Sequence, residues 1–297
     1  MVSVIFSLVF VGQVLRISIP YALPALGGTF SERGGVVNIG LEGIMLIGAF
    51  ATTVATYYTS NPLFGILSGV GAGIAVAALH AVVSVTFKAD QIVSGIAINL
   101  LAIGITKFLC QLIFGSSSNS PRIVGIEQWG VTSSSVGLNP FVIGTFALLI
   151  LSYLVLFKTR FGLRLRAVGE NPAAAESLGV RVGAMRYAGV MMSGVLAGLG
   201  GTWLAFDQHS FTDGMSAGRG FIALAAMIVG KWNPFGAVAA CLLFGFAESL
   251  TIQLQGGSNS TQFVQMLPYV LTMLVLAGFI GRSVPPAASG VPFEKGQ

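Results

Sequence analysis

Long apolar stretches separated by short polar connections dominate the chain. A transmembrane helix needs about 20 mainly apolar residues. Nine stretches approach or reach that length: 4–26, 36–58, 62–87, 91–114, 141–157, 187–206, 218–231, 234–252 and 264–280. The seventh is short. The pattern predicts an all-α, polytopic helical membrane protein with about nine transmembrane helices, forming a single transmembrane domain over residues 1–297.

Composition supports a bilayer as the solvent. Hydrophobic residues make up 54% of the 297 and charged residues 8%, whereas a soluble domain carries about 25% charged residues. The two cysteines, Cys110 and Cys241, lie in apolar runs and indicate no disulfide framework or metal site. The N-terminus lacks the basic region and small-residue cleavage site of a signal peptide, so the first stretch is predicted to be an uncleaved span.

Lysine and arginine concentrate in one connection, residues 158–186, and basic loops face the cytoplasm. Threading outward from that loop places the N-terminus outside and the C-terminus in the cytoplasm. The net charge of +5 is then a topology signal, and no basic patch interleaved with aromatics indicates nucleic acid. The cytoplasmic side receives eleven basic residues: Arg33, Lys88, Lys158, Arg160, Arg164, Arg166, Arg181, Arg186, Lys231, Arg282 and Lys295. The outer side receives Arg122 and Arg219.

Two parts of the chain resemble each other. Residues 34–80 and 214–248 each contain a glycine-rich start, an apolar run, an Asn-Pro turn (Asn61-Pro62 and Asn233-Pro234) and a second apolar run. The first turn falls outside and the second inside. Related units of opposite topology are typical of transporters, so an inverted repeat is predicted, with the two glycine-rich starts on opposite sides of a pore. Asn, Pro and Gly are also common in any turn, which leaves coincidence as the alternative.

Several polar residues fall inside apolar stretches, where such groups are expensive and usually functional. Glu42 is the main candidate, either lining a pore or capping a helix broken at neighbouring glycines. Glu248 and Arg16 are further intramembrane candidates, and Arg16 is a possible partner for Glu42. His80 and Asn99 suit interhelical hydrogen bonds as well as ligand binding. The predicted substrate path comprises Asn38, Gly40, Glu42, Gly43, Asn99, Gly218 and Gly220.

Motifs for catalysis are missing from the sequence. Gly230-Lys231 is followed by Trp232, so no phosphate-binding loop is formed, and no His-Glu-x-x-His metal motif occurs. The chain is therefore predicted to be no enzyme, to carry no catalytic or metal-binding residues and to need no cofactor of its own.

A short helix is predicted within the basic loop. Asn171 is a good N-cap, Pro172 is a favoured first helical residue and Gly179 suits the left-handed position after the helix. Such a helix can dock against a protein partner. The alternative is an interfacial helix that rests on anionic lipid.

Three segments together resemble the permease subunits of bacterial ABC importers of the ribose, branched-chain amino acid and nucleoside type. They are Arg166-Ala-Val-Gly-Glu-Asn-Pro-Ala-Ala-Ala-Glu-Ser-Leu-Gly-Val180, Ser31-Glu-Arg-Gly-Gly-Val-Val-Asn-Ile-Gly-Leu-Glu-Gly-Ile-Met-Leu46, and Gly218-Arg-Gly-Phe-Ile-Ala-Leu-Ala-Ala-Met-Ile228. The second is similar to the nucleoside permeases within that branch.

The resemblance implies a multi-pass permease of the bacterial inner membrane, surrounded by lipid. It also implies a separate ATPase subunit that binds ATP, a substrate-binding lipoprotein, and a second, paralogous permease. The short helix would occupy a groove of the ATPase. The residues implied for this coupling are Arg166, Gly169, Glu170, Asn171, Pro172, Ala173, Ala174 and Gly179.

Nucleosides are the substrate class that the resemblance favours, followed by simple sugars and riboflavin. All three offer hydroxyl or ring-nitrogen groups to polar side chains, so composition does not separate them. An alternative of another class is an ion- or proton-coupled secondary transporter, which would work without a partner and use its intramembrane carboxylates as proton sites.

Overall fold

The computed structural model describes residues 8–125, 139–254, 266, 270 and 283–294 and shows a bundle of α-helices there. Within those ranges, the only β pairing is a single bridge between Asn119 and Thr212. The helices are α1 (Leu8–Arg33), α2 (Leu41–Thr59), α3 (Pro62–Ala81), α4 (Gln91–Phe114), α5 (Pro140–Lys158), α6 (Arg160–Glu170), α7 (Pro172–Ser177), α8 (Val182–Gln208), α9 (Arg219–Val229) and α10 (Pro234–Leu254). A π-helical segment, Val82–Thr86, continues α3.

Seven of these helices are long and apolar enough to cross a membrane: α1, α2, α3 with its π-helical segment, α4, α5, α8 and α10. A shorter apolar helix, α9, matches the seventh predicted stretch. The ninth, 264–280, lies outside the described residues except for two isolated positions. The prediction of an all-α polytopic protein is confirmed, and the described part contains seven spans plus one short apolar helix.

Several predicted boundaries were wrong. The first stretch was expected to end at residue 26, but α1 continues to Arg33 despite two internal prolines. The second was expected to begin at residue 36, but α2 starts only at Leu41 because residues 34–40 are not helical. The sixth begins at Val182 rather than residue 187. The basic loop holds two helices, α6 and α7, where one was expected.

The element order repeats itself in the two halves. Each half contains a long helix, a non-helical break, a second helix and a third helix after an Asn-Pro turn. In the first half these are α1, residues 34–40, α2 and α3, and in the second they are α8, residues 209–218, α9 and α10. Both Asn-Pro turns use the same cap, since the Asn61 side chain accepts the Leu63 N–H and the Asn233 side chain accepts the Phe235 N–H. The two turns lie at opposite ends of the bundle, so the units run in opposite directions.

One end of the bundle, here termed the basic end, gathers the predicted cytoplasmic cations. Arg33 contacts Lys231 and the α6–α7 loop. The C-terminal residues 283–294 lie across the same end, because Glu294 pairs with Lys88 at 3.1 Å and Arg186 donates to the Val291 carbonyl at 2.9 Å. These residues, predicted from the sequence to lie on the cytoplasmic side of the membrane, therefore lie at the same end of the helical bundle.

Small residues let α3 pack closely against α2 and α8. A Cβ added at Gly69 would collide with the hydroxyls of Thr52 and Thr202, and one at Gly73 would collide with the Gly194 carbonyl. The two threonine hydroxyls are hydrogen-bonded to each other at 2.9 Å. Glycine and threonine contacts of this kind replace the hydrophobic effect in holding helices together in lipid.

Candidate translocation and docking sites

The break at residues 34–40 is buried and is braced by side chains from other helices. Val37 donates its N–H to Gln91 Oε1 at 2.7 Å, and its carbonyl is 3.0 Å from His80 Nε2. Asn99 donates to the Ile39 carbonyl at 3.1 Å and accepts the Gly43 N–H at 2.8 Å. Non-helical backbone inside a membrane protein needs such partners, because no water is available to supply them.

Among the residues of the predicted substrate path, all of which the structure describes, Asn38 is the one with a buried side-chain atom that has no hydrogen-bond partner. It is fully buried, and its Nδ2 donates to Ser193 Oγ on α8 at 2.7 Å. Its Oδ1 is also buried and has no hydrogen-bond partner in the described part of the chain. A buried acceptor without a partner is costly, so this oxygen is suited to receive a donor from a ligand.

Glu42 joins the two glycine-rich stretches directly. Its Oε1 accepts the Gly218 N–H at 2.8 Å and its Oε2 accepts the Gly220 N–H at 2.6 Å. Residues 34–43 and 214–220 were expected on opposite sides of a pore, but at Glu42 they are in contact. The suggested pairing of Glu42 with Arg16 is replaced by an ion pair of Arg16 with Asp207 at 2.6 Å.

The glycines of the predicted path permit close approach of neighbouring backbones. A Cβ at Gly43 would lie 2.9 Å from the Ile98 carbonyl oxygen, and one at Gly220 would lie 2.5 Å from the Glu42 backbone nitrogen. A Cβ at Gly40 would lie 3.2 Å from Asn38 Oδ1. Gly218 has a positive φ of 82° and precedes α9. At these positions the glycines allow close backbone packing and offer no side-chain chemistry.

Glu248, the other carboxylate predicted to lie in the membrane, also has partners. It accepts a hydrogen bond from Tyr21 on α1 and lies 3.8 Å from the Arg219 guanidinium. Glu248 therefore links α10 to α1 and to the start of α9, which is a bracing role.

The caps predicted for the docking helix are present. Asn171 Oδ1 accepts the Ala174 N–H at 3.0 Å, and Pro172 occupies the first helical position of α7. Gly179 follows the helix with φ of 81°, and its N–H bonds to the Glu176 carbonyl at 2.8 Å. Each end of the short helix is therefore specified by residues within about one turn of that end.

The predicted coupling residues divide into an exposed group and an anchoring group. Glu170, Asn171, Ala173 and Ala174 are exposed, and Leu178 beside them is 84% exposed. Gly169 is buried against the Arg33 carbonyl, and the Arg166 guanidinium lies 4.7 Å from the centre of the Phe157 ring. Arg166 and Gly169 thus anchor the loop to the bundle, while the exposed group remains available to a partner.

Sequence reasoning missed the role of Glu32, Arg33 and Trp232. Arg33 Nε donates to the Trp232 carbonyl at 2.9 Å, and Trp232 Nε1 donates to Glu32 Oε2 at 2.5 Å. The signal in the sequence was a charged pair, Glu32-Arg33, at the end of an apolar stretch. Arg33 is interpreted as a topology marker and both residues belong to the segment that resembles nucleoside permeases, but neither of them is given a partner.

In the ranges that the structure describes, no group of three or more His, Cys, Asp or Glu side chains could hold a metal ion. Buried, hydrogen-bonded breaks between apolar helices, together with a capped helix on a basic loop, are typical of a helical membrane transport protein.

The chain belongs to the family described as the branched-chain amino acid transport system permease component, which it matches over residues 10–276. It is 43% identical to the guanosine ABC transporter permease protein NupQ of Bacillus subtilis, over 96% of this chain and 98% of that protein. It is also 43% identical to the nucleoside ABC transporter permease protein NupC of Lactococcus lactis, with 97% of each chain covered. A putative glucose ABC transporter permease protein, TsgC13 of Haloferax volcanii, is 36% identical over 85% of this chain and 80% of its own length.

These similarities confirm the predicted permease class and a multi-pass location in the bacterial inner membrane. The similar proteins are ABC transporter permeases rather than enzymes, and membership of the family implies an ATPase partner.

Proposed function

We propose that the chain is the permease subunit of an ABC importer that moves a nucleoside into the cell. The observation that carries the substrate class is the 43% identity, over nearly the whole length of each chain, to permeases for guanosine and for nucleosides. A simple sugar is the second candidate, supported by the 36% identity to a glucose permease. The energy comes from ATP hydrolysed by a separate subunit.

The proposed orientation places the basic end in the cytoplasm, with the N-terminus outside and the C-terminus inside. Its support is the grouping of Arg33, Lys88, Lys231 and the 158–186 loop at one end of the bundle, since cytoplasmic loops carry the excess of Lys and Arg. The ATPase then docks on α7 and the residues just before it. The exposed Leu178 side chain is an apolar contact that a protein groove would cover.

A second, paralogous permease and a substrate-binding lipoprotein complete the proposed complex. We assign the contact with the second permease to the outward face of α4, which forms a shallow apolar groove around Gly104. Small residues in such a groove let the backbone of another helix approach closely in lipid. The groove is lined by Ala97, Leu100, Leu101, Gly104, Ile105 and Phe108.

The proposed substrate path runs beside the break at 34–40, and Asn38 is its polar contact. An amide oxygen accepts a hydrogen bond from a ribose hydroxyl or from a base N–H. Glu42 and Asn99 are assigned to bracing, because their side-chain oxygens are already bonded to backbone N–H groups. A site with one free acceptor binds weakly, which suits an importer that must release its cargo.

Reconstitution tests the function. The permease is co-expressed with its ATPase and binding protein, purified, and placed in liposomes loaded with ATP on the ATPase side. We expect ATP-dependent accumulation of radiolabelled guanosine that excess unlabelled nucleoside suppresses and excess glucose or riboflavin does not. Suppression by glucose or riboflavin instead would reassign the substrate. Accumulation driven by a proton or sodium gradient, with the permease alone, would reassign the chain to the secondary transporters.

The same assay tests Asn38. Asn38→Ala is expected to reduce guanosine uptake by up to about tenfold, because one hydrogen bond to an uncharged group contributes up to about 1.5 kcal/mol. The matched control is Asn61→Ala, an asparagine that caps α3 in an exposed turn. Equal uptake by Asn38→Ala and the wild type would remove Asn38 from the path.

A further inference from the structure

The short helix α9 is fastened at both of its ends to residues that flank the break in the first repeat. At its start, Glu42 accepts the N–H groups of Gly218 and Gly220. Just past its end, Glu32 and Arg33 hold the turn that leads into α10. An 11-residue helix is about 16 Å long, so α9 acts as a rigid strut beside residues 34–40.

The turn after α9 has an unfavourable backbone conformation. Lys231 and Trp232 both have positive φ, 56° and 52°. For residues with a side chain this left-handed region costs about 1–2 kcal/mol each, and it persists only where the surroundings hold it in place. Two consecutive residues of this kind indicate a turn that is stabilised from outside.

Arg33 supplies that outside support. Its Nε donates to the Trp232 carbonyl at 2.9 Å and its Nη2 to the Lys231 carbonyl at 3.3 Å. Both carbonyls belong to the two residues with positive φ. Trp232 is 4% exposed, and its indole N–H is bound by Glu32, the residue before Arg33.

The third nitrogen of the same guanidinium faces the docking loop. Arg33 Nη1 lies 3.9 Å from Glu170 Oε1, at the end of α6. Gly169 is packed so tightly on the Arg33 carbonyl that a Cβ there would collide with it. The end of α6 therefore contacts both the side chain and the backbone of Arg33.

We propose that Arg33 is a positioning residue that transmits movement of the ATPase-docking loop, through the Lys231–Trp232 turn, to α9 and so to Glu42 and the break beside Asn38. This role rests on the proposed function, because it assumes that an ATPase moves the docking loop. The path is continuous: Glu170, Arg33, the turn, α9, Glu42.

Arginine suits this position for a geometric reason. A guanidinium presents its N–H groups in a fixed plane and can bind three partners in three directions, whereas lysine carries one nitrogen on a flexible stem. Arg33→Lys keeps the positive charge and most of the volume but cannot hold both carbonyls and face Glu170 at once. Arg33→Lys therefore tests whether the role of Arg33 depends on the planar arrangement of its donors or only on its positive charge.

The experiment measures coupling in the complete reconstituted transporter. For Arg33→Lys we expect the ATPase to copurify in normal amount and to hydrolyse ATP, while nucleoside transported per ATP hydrolysed falls about tenfold, as expected when charge-assisted hydrogen bonds are lost. A purely structural role would lower protein yield, hydrolysis and transport together and leave that ratio unchanged. Such a proportional loss would overturn the proposal.

Two further variants complete the test. Arg16→Lys is the matched control, because Arg16 lies in the other half of α1, about 17 residues before Arg33, and pairs with a carboxylate, Asp207. Its ratio should equal that of the wild type. If Arg33→Lys does not fold, Trp232→Phe removes the indole donor to Glu32 and should lower the ratio in the same direction. If either Arg33→Lys or Trp232→Phe transports as much nucleoside per ATP hydrolysed as the wild type, the proposed role of Arg33 is wrong, while the proposed function of the chain still stands. A wild-type protein that neither copurifies with an ATPase nor transports nucleoside overturns the proposed function and this inference together.

Discussion

The two breaks of the repeat occupy equivalent places in the chain but are held in different ways. Residues 34–40 are bound by side chains from three spanning helices: Gln91 and Asn99 of α4, His80 of α3 and Ser193 of α8. Residues 209–218 have side-chain contacts too, from Lys107 to Asp213 and from Ser120 Oγ to the Phe211 N–H, but they also pair through backbone atoms with the connection at residues 118–123. Ser120 and Ile123 donate N–H groups to Phe211 and His209, and Asp213 donates to Ser118.

That difference suggests that the two breaks differ in how easily they can move. Side-chain bonds from helices fix the depth and shape of the first break, because moving it would separate buried polar groups from their partners. The second break is hydrogen-bonded through its backbone to residues 118–123, which lie outside the helices, so the two segments can move together. We therefore expect the first break to keep its shape during transport and the second to adapt. Glu42, just after the first break, contacts the end of the second through the Gly218 N–H.

The largest effect is expected from removing a side-chain brace of the first break. Asn99→Leu leaves the Gly43 N–H and the Ile39 carbonyl buried without partners, at about 1–3 kcal/mol for each group. We expect a marked loss of detergent-solubilised protein and a lower melting temperature, measured by fluorescence-detected size exclusion after heating.

The matched control lies in the connection that pairs with the second break. Asn119 bridges Thr212 through backbone atoms, so Asn119→Ala should change stability by less than about 0.5 kcal/mol. A drop in melting temperature as large as that of Asn99→Leu would show that both breaks depend on side chains, and the contrast between them would be lost.

A smaller effect is expected at the junction of the two breaks. In Glu42→Gln one carboxylate oxygen becomes an NH₂ group, which then faces the N–H of Gly218 or Gly220. Loss of one charge-assisted bond costs about 1.5–3 kcal/mol. The melting temperature should fall while the ranking of nucleosides as competitors of uptake stays the same.

Glu294→Gln is the control for charge at position 42, since the Lys88–Glu294 pair is half exposed at the basic end and such pairs contribute little. A changed ranking of nucleosides in Glu42→Gln, with unchanged stability, would instead make Glu42 a substrate ligand.

The smallest effect compares two glycines with positive φ, one in each break. Gly214 has φ of 66° and nothing within 4 Å of its Cβ position, so Gly214→Ala should cost only the left-handed strain of about 1 kcal/mol. Gly35 has φ of 85°, and a Cβ there would lie 3.3 Å from the Ala288 carbonyl oxygen and from Arg186 Nη2. Gly35→Ala should therefore lower the melting temperature more than Gly214→Ala. Equal shifts would argue against a tighter first break.

Local features were predictable from the sequence, and distant pairings were not. The caps of α7 depend on residues within one turn, and Asn171, Pro172 and Gly179 take the places that their chemistry predicts. Hydropathy located the apolar helices, and clustered glycines indicated a break before α2. Each of these signals lies within a short window of sequence.

The partner of Glu42 lies 176 residues away, and the two partners of Arg33 in the 231–232 turn lie 198 and 199 residues away. No local pattern marks such pairs, because each half forms a reasonable helix end by itself. The positive φ of Lys231 and Trp232 was also hidden, since nothing about their side chains favours it. Tertiary hydrogen bonds impose that conformation.

The glycine and threonine contacts between α3 and α8 also affect how the chain is assembled during synthesis. Thr52 and Thr202 are 150 residues apart. At about 5–20 residues per second, the ribosome completes α8 roughly 7–30 s after α2 has been made. For that interval the groove along Gly65, Gly69 and Gly73 has no α8 to fill it, and the Thr52 hydroxyl lacks its later partner. The α2–α3 hairpin must therefore wait at the insertion machinery or in lipid, and any chaperone that shields small-residue grooves would act in this window.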